Sequence, residues 1–446
     1  MRPAGAPQLR FGVLSDSHVT SEPETADCLR RMFRRFAAEN VDAVVHCGDI
    51  CHLGKLDEFA HVVAAWREAF PGGKNAAGEP VVPFFVCGNH DYHRASFQRG
   101  EKLSAADEAA YMFYNRDEVY RQLTGEPFPG EVFSKTIRGH VFIGAQWSHE
   151  RDLADWLKAH PAPTDRPVFY VQHPHPKATC FGAWAAGSDR ANEELMKHPN
   201  FWTMSGHSHL NVGCDLGLWQ GGFVSMGAGS ARLVGPGSFG GEADNASRRE
   251  NEWKPGEFKH SPVVSGGGAW QGSVVSVYAD QVLVERYDFR NDEHGETIGE
   301  AWPVEFPFRH DAKAPYRLAD SARAPQFLPG AAFTFAKVTG KRRPDKAKEA
   351  QLRVEVPAAR SDGDWSRPGF YRFTVSEAEG GRKLLERLII SDGTTNPEKR
   401  SATRPVRCCF AETELPKSVP LVFAVEPMNV AGKAGKAIVS EKYVLN

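Results

Sequence analysis

Apolar residues near the N-terminus come in short blocks, separated by stretches of helical period. Residues 9–15, 42–47 and 81–87 each read as a short, continuously apolar strand of the kind buried on both faces. Between the first two blocks, Cys28, Leu29, Met32, Phe33 and Phe36 recur at helical spacing. Between the last two, Leu56, Phe59, Val62, Val63, Trp66 and Phe70 do the same. Strand, helix, strand, helix, strand at this spacing predicts βαβ units, a largely parallel sheet and an α/β fold.

The rhythm breaks over 93–130, which is polar and helical, with Tyr111, Phe113, Tyr114 and Tyr120 among charges. This stretch reads as an insertion over one rim of the sheet. Strands resume at 132–138 and 140–145 as a hairpin. A short helix at 151–159 precedes strands at 167–172, 201–205, 222–226 and within 272–288. The Gly-, Ser- and Asn-rich stretch 231–268 reads as a long surface loop, and loops of that length are often functional. Pro, Ala and Arg accumulate without pattern over 309–330, a linker. Beyond it lie seven β-like runs, at 331–338, 351–356, 369–376, 384–391, 405–410, 419–426 and 437–444. They predict a small all-β sandwich. The expected domains are 1–312, α/β, and 325–446, the sandwich.

Composition narrows the class. Of 446 residues, 41% are hydrophobic and 25% charged, which excludes a mainly disordered chain. Fifty-four Lys and Arg against 56 Asp and Glu leave a net charge of −2, so no global basic field draws in nucleic acid or an anionic membrane. No window approaches the ~18 apolar residues of a membrane span. The first ten residues lack the apolar core of a signal peptide, which makes cytoplasmic the default location, and exported if the native N-terminus lies upstream. The eight cysteines form no CxxC pair and read as buried free thiols.

The chemistry sits at strand ends. Asp16-Ser17-His18 follows the first strand, Gly48-Asp49 the second and Gly88-Asn89-His90-Asp91 the third. His173-Pro174-His175-Pro176 follows the strand at 167–172, and Gly206-His207-Ser208-His209 the strand at 201–205. In an open α/β sheet, ligands gather at the carboxyl ends of the strands, so these five clusters should converge. Asp16, His18, Asp49, Asn89, His173, His207 and His209 offer oxygen and imidazole nitrogen without thiolate, a set suited to Mn, Fe, Zn or Co. Seven such groups suit two ions. The two-residue step in Asp16-x-His18 and His207-x-His209 would put each pair on one side of an extended backbone. A carboxylate can bridge two metals, and Asp49 is the natural candidate. Two divalent ions against two carboxylates and a hydroxide leave a positive pocket for an anionic ester.

These five motifs, in this order, resemble the calcineurin-like metallophosphoesterases over residues 9–290. The resemblance implies a four-layer αββα domain and hydrolysis of a small phosphoester by a hydroxide bridging two divalent or trivalent metal ions. It implies that Asp16, His18 and His209 hold one ion and Asn89, His173 and His207 the other, with Asp49 between them. It gives His90 the role of protonating or stabilising the leaving oxygen, and Asp91 that of orienting His90 by a hydrogen bond. His175 is the alternative to His173. His52 stands where related purple acid phosphatases carry a tyrosine ligand; it reads as a pocket residue or a surface histidine. The absence of that tyrosine and the presence of His18 argue against a purple acid phosphatase. His46 reads as a satisfied core residue. Lys177, Phe181 and Trp184 would line the pocket, pack in the core or lie solvated, and Arg94 and Arg99 would clamp a phosphate or lie exposed. A cyclic-nucleotide phosphodiesterase or nuclease, and a metal-binding scaffold without catalysis, are the alternatives. Residues 421–435 are similar to the late strand and turn of fibronectin type III domains, which would give the sandwich a protein or glycan partner.

Overall fold

The structure, a computed structural model, describes residues 3, 5–92, 104–177, 179, 188–209, 211–214, 217–232, 270–310, 321–341, 347–361, 363–391 and 405–445. The chain forms two compact units. One is built mainly from Met1–Gly213, Gly217–Gly235 and Gly266–Arg317, the other mainly from Leu318–Asn446.

The first unit opens with β1 (Leu9–Leu14), α1 (Asp27–Ala38), β2 (Ala43–His46), α2 (Leu56–Ala69) and β3 (Val82–Phe85). After α3 (Ala105–Ala110) and α4 (Arg116–Thr124) come the hairpin β4 (Val132–Ile137) and β5 (His140–Ala145), then α5 (Leu153–Ala159), β6 (Val168–Val171), α6 (Asp189–Leu195) and β7 (Phe201–Ser205). The unit ends with β8 (Leu218–Gln220), β9 (Val224–Gly227), β10 (Gln271–Val277), β11 (Gln281–Asp288), β12 (Glu296–Thr297) and β13 (Trp302–Glu305).

These strands form two sheets rather than one. The first has the order β12-β11-β10-β1-β2-β3, with β13 also on β11; the second has β4-β5-β6-β7-β9-β8. Parallel pairing joins β1, β2 and β3 and β5, β6, β7 and β9, as βαβ crossovers require. β10 runs antiparallel to β1. The run at 272–288 is thus two strands divided at Tyr278–Asp280, and β8, β12 and β13 are short strands that the hydropathy pattern does not announce.

Alternation along the strands explains the layers. In β1, Phe11 faces the second sheet, its ring 5.2 Å from Phe142 and 4.9 Å from Phe169. Leu14 faces the other way, into a core built with Leu29, Met32, Phe33 and Phe36 of α1 and Phe59, Val62 and Trp66 of α2. On the far side, Ile143, Val168 and Tyr170 pack with Leu153 and Leu157 of α5 and Leu195 of α6. The result is helix, sheet, sheet, helix, the expected αββα stack. Among the described residues, Cys28, Cys47, Cys51, Cys87, Cys214 and Cys408 are buried free thiols and Cys409 is half-buried. No helix among them is long and apolar enough to cross a membrane.

The second unit is all β. Among its described residues, β14 (Thr334–Lys341), β15 (Lys348–Val356) and β18 (Val406–Ala411) form one sheet. β16 (Phe370–Glu377), β17 (Lys383–Ile390), β19 (Pro420–Met428), β20 (Ile438–Val439) and β21 (Tyr443–Val444) form the other. Leu352, Val354 and Phe410 of the first sheet and Tyr371, Phe373, Phe423 and Val425 of the second share one core. The last predicted run is two short strands, β20 and β21.

Gly12 lets α1 approach the first sheet, because a Cβ there would overlap the Phe36 ring. Gly12→Val should therefore destabilise the protein by about 1–3 kcal/mol through overpacking, read as a lowered midpoint in urea unfolding. An unchanged midpoint would mean that the helix is not seated against this strand.

Candidate metal centre

Two sheets packed face to face bring the carboxyl ends of five strands to one rim. β1 leads into Asp16 and His18, β2 into Asp49, and β3 into Asn89 and His90. β6 leads into His173, and β7 into His207 and His209. Asp16, His18, Asp49, Asn89 and His173 are buried, while His207 and His209 are half-buried.

The side chains converge by a route other than an extended backbone. Asp16 (φ 53°), His18 (φ 42°), Asp49 (φ 53°), His207 (φ 66°) and His209 (φ 53°) all lie in the left-handed region. Only nine described non-glycine residues do so, and five of them are here. Each such residue costs of order 1–3 kcal/mol and persists only where its surroundings enforce it. The motif glycines belong to that enforcement. A Cβ on Gly48 would sit 2.5 Å from His173 Nδ1; one on Gly88 would overlap Asp49 Oδ1, and one on Gly206 would overlap Ser15 Oγ and Asp16 Oδ2. The glycines before Asp49, Asn89 and His207 thus leave the space that His173, Asp49 and Asp16 fill.

Two groups of ligand atoms result, each within 4.8 Å: Asp16, His18, Asp49 and His209, and Asp49, His173 and His207. In the first, His18 Nε2 lies 3.1 Å from His209 Nε2. His209 Nε2 is 3.2 Å from Asp16 Oδ1, and His18 Nε2 is 3.6 Å from Asp49 Oδ2. In the second, His173 Nε2 is 3.1 Å from the same Asp49 Oδ2. Asn89 Oδ1 is buried with no hydrogen-bond partner, and His173 donates Nδ1–H to Cys47 O at 2.8 Å, which leaves Nε2 to face Asp49. Acceptor atoms drawn together, with a buried carbonyl oxygen unsatisfied, fit cations. A third group, His18, His52 and His90, lies beside the first.

Protonation follows from burial and charge. Burial pushes His18 and His207 down to about 3, so both rings are neutral, the ligating form. Burial alone would do the same to His173, but the Asp49 carboxylate raises it to about 9. Burial would raise Asp16; the His209 imidazole beside it reverses that and holds the carboxyl below the usual range. His46 is a satisfied buried histidine, as expected: Gly48 N–H reaches its Nδ1 and Ser17 Oγ its Nε2 at 2.9 Å.

One expectation changes. The hydrogen bond from Asp91 to His90 is not formed. Asp91 accepts backbone N–H groups from Ile50, Cys51 and Gly88 at 3.2, 2.8 and 2.8 Å, because the turn after β2 buries donors that must be satisfied. His90 instead donates Nδ1–H to His52 O at 2.7 Å, and its backbone N–H to Asp49 Oδ1 at 2.8 Å. His175 is outside both groups; burial holds it down to about 4, and its two nitrogens meet Ser205 and Ser208. Lys177 is exposed and paired with Asp189 at 2.7 Å. Arg94, Arg99, Phe181, Trp184 and almost all of 231–268 lie outside the described residues.

The sequence reading missed three neighbours. Trp147, at the end of β5, packs 5.5 Å from His207 and 5.8 Å from His173. A sixth strand end was the available signal. Arg232 donates to His18 O, while Ser230 Oγ donates to Asp16 O at 3.0 Å, so the segment after β9 grips the Asp16–His18 turn from behind.

Strand-end carboxylates and imidazoles on a two-sheet αββα frame define a metal-binding phosphoesterase fold. Residues 9–211 match the model of the calcineurin-like phosphoesterase family. Among solved structures the chain is similar to GAP50, the anchor in the inner membrane complex of Plasmodium, at 14% identity over 67% of this chain and 88% of that one, TM-score 0.38. It is also similar to the purple acid phosphatase PPD1 of yellow lupin, Lupinus luteus, at 12% identity over 68% and 55%, TM-score 0.40. A third is Vps29 of Entamoeba histolytica complexed with zinc, at 11% identity over 67% and 99%, TM-score 0.28. No curated protein matches the chain.

Gly206→Ala should displace Asp16 and weaken Mn²⁺ binding ~10–100-fold without unfolding the domain. Calorimetric titration together with far-ultraviolet circular dichroism reads both effects, and wild-type affinity would refute the space-filling role of this glycine.

Proposed function

We propose that this protein is a metal-dependent phosphoester hydrolase whose centre holds two transition-metal ions. The observation that carries the reading is Asp49, whose carboxylate belongs to both ligand groups, with Oδ2 3.1 Å from His173 and 3.6 Å from His18. Asp16, His18 and His209 would hold one ion with it, and Asn89, His173 and His207 the other. Oxygen and imidazole donors suit Mn, Fe, Zn or Co. The nearby thiols of Cys47, Cys51 and Cys87 are pushed up by burial and stay protonated, which keeps them out of the set. When bound, such ions activate water and neutralise phosphoryl charge.

The chain supplies the remainder. Asp49 Oδ1 accepts the His90 N–H and fixes that backbone. The His52 carbonyl takes His90 Nδ1–H, so Nε2 is the atom left to meet the leaving oxygen. Asp91 braces the Asp49 turn rather than His90. The family match supports hydrolase chemistry. We read the C-terminal sandwich as fibronectin type III-like, supported by its division into β14-β15-β18 and β17-β16-β19-β20, with a protein or glycan as its partner.

Hydrolysis of an aryl phosphodiester and its monoester, with Mn²⁺ and with chelator, tests the activity. Chelator-sensitive turnover is expected, and no turnover by protein carrying two ions would favour the scaffold alternative. Asp49→Asn should lose both ions, and wild-type metal content by elemental analysis would end the shared-carboxylate assignment. His90→Ala should keep its metal and lose ~10²–10⁴-fold in rate; unchanged turnover removes His90 from the reaction.

A further inference from the structure

His175 and His173 come from one four-residue motif, yet their rings have different tasks. His175 is 2% exposed and belongs to neither ligand group. Its Nδ1 lies 2.7 Å from Ser205 Oγ, the last residue of β7. Its Nε2 lies 2.8 Å from Ser208 Oγ. Ser208 stands between His207 and His209, which serve the two different ligand groups and are both left-handed. Around it, Ser208 N–H reaches Gly206 O at 2.8 Å, and His207 N–H reaches the Asp16 carboxylate at 3.0–3.1 Å.

We propose that His175 is a positioning residue of the metal centre, spanning from Ser205 to Ser208 so that His207 and His209 splay toward separate ions. The inference rests on the two-ion reading above. A neutral imidazole is suited to the span because one nitrogen donates while the other accepts, and each serine hydroxyl can do either. Gln172 Nε2 donates to Pro174 O at 2.5 Å and anchors the motif, so the ring starts from a fixed backbone.

The span gives the proposal a sharp test, because the two amide side chains each mimic one end of the ring. Asn matches Nδ1 and retains the Ser205 bond; Gln reaches the position of Nε2 and retains the Ser208 bond. Calorimetric titration of the full chain with Mn²⁺ is compared for wild type, His175→Gln, His175→Asn and Ser208→Ala. Thermal unfolding of the metal-free forms controls for general destabilisation. His175→Gln should bind within about threefold of wild type, while His175→Asn and Ser208→Ala should lose ~10–100-fold in affinity. Equal affinities for His175→Gln and His175→Asn, or wild-type affinity for Ser208→Ala, would overturn the proposal and leave the two-ion reading intact. A wild-type chain that binds no Mn²⁺ would remove both.

Discussion

Three carboxylates, Asp16, Asp49 and Asp91, lie buried in one pocket, and the rest of the site answers to that constraint. An ionised carboxylate out of water is costly unless it is paired or hydrogen-bonded. Each of the three meets the demand differently. Asp91 takes three backbone N–H donors, while burial and the neighbouring Asp49 charge still push it up to about 7. Asp16 faces His209, and Asp49 faces His173 and His18. The protein's own groups thus offset only part of the concentrated negative charge. On the two-ion reading proposed above, cations would complete the balance and let a pocket this acidic receive an anionic ester.

Most of the first unit was legible because its strands and helices carry strong periodic signals. The apolar blocks at β1, β2 and β3 and the α1 and α2 faces stand out in the sequence, and all five chemical motifs end strands. Two sheets, rather than one, followed only from family resemblance, since a run of apolar residues does not say which neighbour it pairs with. β12 has two residues and β8 three, too short to show a period. Within 272–288 the turn at Ala279–Asp280 lacks Gly and Pro, so the hairpin there reads as one continuous run.

The site divides along a similar line. Residue type and strand-end position were enough to nominate the ligand groups. They did not supply the mechanism of convergence: alternate residues of an extended chain would share a side, but here Asp16, His18, His207 and His209 turn inward through left-handed backbone. Nor could they assign hydrogen-bond partners. Asp91 is adjacent to His90 in sequence, yet its carboxylate is claimed by the donors of the turn after β2, and His90 takes a carbonyl from His52 instead. Trp147 escaped notice because a single aromatic after a strand has no pattern of its own.

Both ligand groups draw on the two sheets at once, and His18 and His209, whose Nε2 atoms nearly touch, are separated by 191 positions in the chain. At roughly 5–20 residues per second of synthesis, a growing chain exposes its first ligand roughly 10–40 s before its last. Through that interval Asp16, His18 and Asp49 are present without the imidazoles that complete either group. The centre is therefore a late product of biogenesis, assembled only when β7 joins the second sheet. On the two-ion reading, metal acquisition would then report that the αββα stack has closed.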